Sequence, residues 1–313
     1  MLTSVIIVNY QSWEHLSPCL DSLLASESAR KGAMELVVVD NASGDGRMGG
    51  YAGAYQKVRF VANSGNWGYA HACNLGASKA AGELLVFMNP DVTAGPGQLE
   101  RLIEEKKLHP EAAILTATQM DGRGRRQRSF DVFPSPLRSF GLYRAAMRRL
   151  RPRDYPDPRA RYEALVTCGW VSGSLLAIGR RDLEALGGWD DDFWMYSEDV
   201  DLCLRAARAG MRSAYTPRAV FSHAHGGASR RDATSRALTR CEAMISKHLY
   251  ISKHFRGARA AAFHLAHLLQ KLPLVTKAMA AAAAPASLFP GVAAQRKMLV
   301  DLAAYYRGVL RGD

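Results

Sequence analysis

The feature that most constrains the fold is a repeated alternation in the first half of the chain. A short apolar run rich in β-branched residues ends at a polar stop, and helical spacing follows. The runs are Ser4–Val8, Glu35–Val39, Val58–Ala62 and Glu83–Met88. They stop at Asn9, at Asp40-Asn41-Ala42-Ser43-Gly44-Asp45, at the loop Asn63–Gly68 and at Asn89-Pro90-Asp91. After the first run, His15–Ala25 places Leu16, Leu20, Leu23 and Leu24 at helical spacing, and Tyr69–Ala81 reads as a helix ahead of the fourth. Strands that are apolar on both faces and alternate with helices predict a parallel sheet covered on both sides. Such a sheet binds ligands outside the carboxyl ends of its strands, where strand order reverses. Asn9, Asp40, Asn63 and Asp91 are therefore the first candidates for a site.

The rest of the chain is less regular. Asp121–Tyr162 is rich in Arg and Pro, which predicts an irregular region with short helices. Val166–Phe193 holds a strand (Ser-Leu-Leu-Ala-Ile), a turn and a helix ending at Gly187-Gly188; Asp199–Ala209 is a helix and Ala214–His225 a last strand. From about Arg236 the chain is helical, basic and rich in Ala and Leu. We expect residues 1–235 to form one α/β domain and 236–313 a helical basic extension.

With 313 residues, 48% of them hydrophobic and 22% charged, the chain has ample material for a packed core and is not generally disordered. A formal net charge of +12 points to an anionic partner: nucleic acid, membrane lipid or a phosphate-bearing substrate. Cys19, Cys73, Cys168, Cys203 and Cys241 are scattered and odd in number, which argues against a disulfide framework and fits a reducing cytoplasm. The N-terminus has no basic region or cleavage site and reads as a strand; no stretch reaches the ~20 apolar residues of a membrane span.

Four constellations carry chemistry. Asp91, after a buried strand and a stiffening Pro90, suits a hard divalent cation bound through one or two carboxylates and substrate phosphates. The segment from Trp189 to Leu202 sets Asp190, Asp191, Asp192, Glu198, Asp199 and Asp201 among Trp189, Phe193, Trp194, Met195 and Tyr196. This predicts a cleft wall holding a carboxylate pair, Glu198 and Asp199, at the N-terminus of a helix whose dipole stabilises negative charge. His223 and His225 lie at a strand end and alternate faces, so one of the two is expected to reach a metal. In the loop from Asn63 to Ala70, Gly65 and Gly68 let backbone approach a ligand closely. The loop is not GxGxxG and follows the third run, which argues against a dinucleotide cofactor.

These segments, in this order, resemble the family 2 glycosyltransferases, in the subgroup of bacterial rhamnosyltransferases that build cell-surface polysaccharides. The matching text is VIIVNY at the start, VVVDNAS, NSGNWGYAHACN, MNPDV, the stretch from Trp170 to Gly210, and HAHGGAS ending at Ser229. The resemblance implies an α/β GT-A fold: a Rossmann-like, mostly parallel twisted sheet flanked by helices, here with a helical C-terminal extension. It implies a nucleotide-diphosphate sugar donor (dTDP or UDP), a glycan or lipid-linked acceptor, and Mg²⁺ or Mn²⁺ as cofactor. By position, Asp40 would bind the nucleobase, with Asn9 and Tyr10 near the nucleotide. Asn66, Gly68 and Asn74 would lie beside the diphosphate and sugar. Asp91 would stand for the last acid of the family's metal-binding DxD, with Asn89 in place of the first. Asp199 matches the catalytic base, with Glu198 beside it; His223, or else His225, matches the metal-ligating histidine. Trp170, Ser172, Gly173 and Trp194 would line the sugar or acceptor pocket.

The expected reaction is an inverting transfer, best matched to L-rhamnose from dTDP-rhamnose, on the cytoplasmic side. A metal-dependent nucleotidyltransferase is the alternative enzyme, although the first strand leads to Asn9-Tyr10-Gln11-Ser12 rather than to a basic Gly-rich loop. A basic nucleic-acid-binding protein is the alternative class, but the aromatics cluster with acids, where phosphate would be repelled. The basic C-terminal region is expected to lie on an anionic membrane surface. The arginine runs Arg123–Arg128 and Arg148–Arg153 either meet an acceptor phosphate or are solvated.

Overall fold

The apolar runs become strands because alternate residues of each bury against opposite helical layers. In the computed structural model, which describes residues 2–224, 232–283 and 292–311, the elements follow in chain order. They are β1 (Thr3–Asn9), α1 (Trp13–Leu24), α2 (Glu27–Arg30), β2 (Met34–Asp40), α3 (Met48–Ala54), β3 (Val58–Ala62), α4 (Tyr69–Lys79), β4 (Leu84–Met88), β5 (Val92–Ala94), α5 (Gln98–Leu108), β6 (Ala112–Met120) and β7 (Phe130–Asp131). There follow α6 (Gly141–Leu150), β8 (Val166–Cys168), β9 (Trp170–Val171), β10 (Leu175–Gly179), α7 (Arg180–Ala185), α8 (Glu198–Arg208), β11 (Arg212–His223), α9 (Ala233–His254), α10 (Gly257–Ala283) and α11 (Val292–Arg311).

The main sheet runs in the order β3-β2-β1-β4-β10-β6-β11-β5, with β8 also on β11. Strands β3, β2, β1, β4, β6 and β11 share one direction, as expected for a mostly parallel sheet, while β10, β5 and β8 run against it. Val5, Ile7, Val38 and Val86 face one layer with Leu16, Leu20 and Leu99; Ile6, Val37, Val39 and Phe87 face the other with Cys73, Leu202 and Cys203. Each such buried side chain contributes roughly 1.5–3 kcal/mol.

Register decides where the polar stops meet. Asn9 pairs with Asp40, and Asp40 with Ala62, immediately before Asn63. Met88 pairs with Leu175 of the antiparallel β10, so Asn89 and Ser174 sit at the same sheet edge. Ser222 pairs with Met120, and His223 with Val92, which brings β11's end to the same edge beside Asp91. Strand order reverses between β1 and β4, as a carboxyl-edge site requires.

The chain forms two compact units. One comprises residues 1–133, 151–194 and 198–227; the other comprises 134–150, 195–197 and 228–313. The second unit therefore takes in a segment from the Arg/Pro-rich middle, and its composition differs from the expected split after residue 235. Its helices pack through Ala237, Cys241, Met244, Ala278, Ala294, Met298 and Leu302. Beside them His248 shares a hydrogen bond with His264 (2.7 Å, Nδ1 to Nδ1) and one with Tyr306 (2.8 Å). Burial pushes the His248 imidazole down to about 4 and that of His267 to about 3, so both are neutral core residues. No described helix is long and apolar enough to cross a membrane.

Candidate active site

Asn9 and Asp40 form the floor at the β1 and β2 ends. Both are buried, and Asn9 donates from Nδ2 to Asp40 Oδ1 at 3.3 Å. Ser43 folds back to donate its hydroxyl to the same oxygen and its N–H to Oδ2. Asp40 is thus a fixed acceptor rather than a loop residue, and Tyr10 stands exposed beside it in the chain. Gln11 and Ala42, just after these strand ends, hold φ of 49° and 60°, and Tyr196 and Ser197, just before α8, hold 70° and 66°. Each non-glycine residue in this region costs roughly 1–3 kcal/mol, a cost that concentrates at functional sites.

An asparagine chain then runs to the glycine loop. Asn63 donates to Asn41 Oδ1 (2.8 Å), and Asn41 donates to Asn66 Oδ1 (2.9 Å) and to Gly68 O (3.2 Å). Gly68 has φ of 98°, and a Cβ there would stand 2.4 Å from Trp194 O, so no other residue fits. Across this contact Tyr69 N donates to Trp194 O (2.8 Å) and Trp194 Nε1 to Asn66 O (3.1 Å). Trp67 and Trp194 remain exposed along this loop. Asn74 accepts from Trp189 N and donates to Trp189 O and to Asp191 Oδ1, so its carboxamide is committed to holding the acidic segment.

The acids at the two ends of the site are joined through one short segment. Asp91 Oδ1 lies 3.4 Å from His223 Nε2, with both side chains buried. His223 Nδ1 meets Gln119 Oε1 at 2.7 Å, and the Ser174 hydroxyl donates to that same oxygen at 2.9 Å. Ser174 O accepts from Asn89 N (2.9 Å) and its hydroxyl pairs with that of Ser172 (2.9 Å). Next in the chain, Gly173 donates its N–H to Asp199 Oδ2 at 3.0 Å, and its carbonyl accepts from Tyr69 Oη at 2.8 Å. Asp91 and Asp199 are therefore bridged by His223, Gln119 and the Ser172–Ser174 strand entry. Trp170 walls this segment: its Nε1 donates to Val132 O (3.1 Å), and the Arg128 guanidinium lies 5.3 Å from its ring.

The donor set at Asp91 suits a divalent cation. A tautomer with Nδ1–H on the Gln119 oxygen would present the Nε2 lone pair toward the carboxylate side, the arrangement of a metal-ligating histidine held by an outer acceptor. One carboxylate and one imidazole leave most positions to substrate phosphates and water, as Mg²⁺ and Mn²⁺ sites do. Among the described residues no group of three or more His, Cys, Asp and Glu has metal-binding geometry. His225 lies outside the described residues.

The structure separates Glu198 from Asp199. Asp199 is half-buried on the first turn of α8, whereas Glu198 is buried and its Oε2 has no hydrogen-bond partner. Burial first, then the charge of Asp199, pushes the Glu198 carboxyl well above the usual range. It is buried near Tyr69 and Cys73, whereas Asp199 accepts from Gly173 N. A raised folded-state pKa stabilises the fold fully below the ordinary value and loses that contribution as pH rises through the raised one. Glu198→Gln is accordingly expected to raise the melting temperature at alkaline pH and to leave it unchanged in acid. Superimposable melting profiles across pH for the two proteins would refute this.

Residues 4–165 match the model of Glycosyl transferase family 2, and residues 159–237 that of Glycosyl transferase family group 2. The N-acetylglucosaminyl-diphospho-decaprenol L-rhamnosyltransferase of Mycobacterium tuberculosis is 33% identical over 251 residues, covering 74% of this chain and 78% of that protein. The chain belongs to glycosyl transferase family 2. It is a glycosyltransferase. Rhamnosyltransferase WbbL of Escherichia coli (strain K12) is 23% identical over 68% of this chain and 80% of its own length. Among solved structures, a mannosyltransferase from Pyrobaculum calidifontis in complex with GDP-Man and Mn²⁺ superposes with TM-score 0.58 at 18% identity, over 98% of this chain and 86% of that one. GalNAc-T7 with UDP, GalNAc and Mn²⁺ superposes with TM-score 0.55 at 16% identity, over 81% and 50%. The glycosyltransferase thus has the expected GT-A fold. Sequence reasoning missed Asn41, Ser43, Gln119 and Ser174 as parts of this site. Asn41 and Ser43 adjoin Asp40 at a strand end and were open to that inference. Nothing local marks Gln119, whose role depends on β6 pairing with β10.

Proposed function

We propose that this glycosyltransferase moves L-rhamnose, with inversion, from dTDP-rhamnose to a hydroxyl of a glycan or lipid-linked acceptor in cell-surface polysaccharide synthesis. The observation that carries the reading is the bonded path from Asp91 and His223 through Gln119 and Ser174 to Gly173 and Asp199. It sets the Asp91–His223 pair and Asp199 along one sheet edge, which supports reading the first as the cation-binding end and the second as the proton-accepting end. Asp199 takes the proton of the acceptor hydroxyl as its oxygen bonds to the anomeric carbon. The bond from that carbon to the diphosphate oxygen breaks, and the nucleoside diphosphate leaves with the electron pair. Holding the two reactants in line supplies much of the acceleration. Asp91 and His223 would hold the divalent metal, which neutralises charge on the diphosphate. Asp40, oriented by Asn9 and Ser43, accepts from the imide N–H of thymine or uracil. Tyr10, Trp67 and Trp194 offer apolar faces to base and sugar, and Trp170, Ser172 and Gly173 border the acceptor. Residues 1–235 form the catalytic region, and the basic residues 236–313 meet an anionic membrane surface on the cytoplasmic side. The L-rhamnosyltransferase relative, whose name specifies a diphospho-decaprenol acceptor, supports the choice of sugar and carrier.

The test is a thermal-shift screen of dTDP-, UDP- and GDP-linked sugars with and without Mn²⁺. A ligand at 100 times its Kd stabilises by about 2.7 kcal/mol. The expected result is a shift with dTDP-rhamnose that requires Mn²⁺. A larger shift with a UDP- or GDP-sugar would reassign the donor, and shifts indifferent to Mn²⁺ would remove the metal.

A further inference from the structure

Within the second unit, Gln270 of α10 donates to Ser139 O at 2.9 Å, tying the segment ahead of α6 to the C-terminal helices. Arg144 donates from Nη1 to Arg138 O (2.6 Å) and fixes the start of α6. The helix leaves one apolar stripe in water. Its half-buried side is Tyr143, Arg144, Met147 and Arg148; its exposed side is Leu142, Ala145, Ala146, Arg149 and Leu150. The apolar members fall at i, i+3, i+4 and i+8, the spacing of one helical stripe. Leu142 is 89% exposed and Leu150 74%, and Leu137 and Phe140 just ahead are 59% and 44% exposed. A contiguous apolar stripe in water marks an interaction surface.

Charge selects the partner. No Asp or Glu occurs from Val132 through Leu150, while Arg138, Arg144, Arg148 and Arg149 all do. A second copy of this chain would set like charges against these arginines. A nucleic acid would match the charge but leave the leucines in water. An anionic lipid leaflet satisfies both, with phosphates for the guanidinium groups and acyl chains for the leucines. We propose that Leu137–Leu150 is a wedge that inserts into an anionic leaflet. This rests on the membrane-surface reading above and shifts the main contact from the C-terminal helices to this segment.

The test is co-sedimentation of the full chain at low salt with phosphatidylcholine vesicles, with or without phosphatidylglycerol. Wild type is expected to bind only the vesicles containing phosphatidylglycerol. Leu142→Glu and Leu150→Glu are each expected to weaken binding by about tenfold, the factor for losing one buried leucine. Both positions are exposed, and an unchanged donor-induced thermal shift would verify that the variants fold. Undiminished binding of both variants would overturn the wedge and leave the C-terminal helices to hold the membrane. Absence of wild-type binding would remove the wedge and the membrane reading together. Self-association in solution that Leu142→Glu abolishes would overturn the proposal in favour of a second copy; retention by duplex DNA in place of vesicles would do so in favour of nucleic acid.

Discussion

Asp199→Asn is expected to lower kcat by about 10²–10⁴, the range for removing a general base, while leaving donor binding intact. The substitution is nearly isosteric. Its amide oxygen still accepts the N–H of Gly173, a contact of 3.0 Å in the parent, so the Ser172–Ser174 segment keeps its place. What is lost is the negative charge, held on the first turn of α8 where the helix dipole favours it. A steady-state assay gives kcat, and the Mn²⁺-dependent donor thermal shift gives binding. Activity within tenfold of wild type would mean that another group takes the proton. Loss of the thermal shift as well would mean that Asp199 holds the donor instead.

Asp91→Asn carries the second large effect. Outer partners of metal ligands are worth 10–100-fold in affinity, and a direct carboxylate ligand is expected to exceed that, so Mn²⁺ affinity should fall by at least about 100-fold. The variant's donor thermal shift should disappear at Mn²⁺ concentrations that saturate wild type and return in part at higher ones. Gln119→Leu should fall in the outer range, because it removes the acceptor that orients His223 Nδ1 at 2.7 Å. Wild-type Mn²⁺ dependence in Asp91→Asn would place the metal elsewhere.

The two variants probe opposite ends of the same bonded path, and that path was only half legible in the chain. Asp40 and His223 are readable because each directly ends a strand, and Asp91 because it lies in the turn just beyond one; a parallel sheet brings such ends to one edge whatever its order. The asparagines of the glycine loop follow from the same rule, although Asn74 turned out to clamp Trp189 and Asp191. Glu198 and Asp199 are adjacent in sequence, but neighbouring residues on a helix point about 100° apart. Which of them faces inward depends on how α8 docks on the sheet, and the docking buries Glu198.

By itself the sequence determined the succession of apolar runs and polar stops, and hence an α/β sheet with acids along its carboxyl edge, because burial pattern is a local property of the chain. It also carried the motifs of the family. The tertiary structure alone decided that β10 enters antiparallel between β4 and β6, bringing Ser172–Ser174 against Asn89, Gln119 and Asp199. It alone joined residues 134–150 to the C-terminal helices and left the leucines of α6 facing water. The reason is common to both: strand partners and helix docking are settled by contacts between residues far apart in the chain, to which no local spacing is a guide.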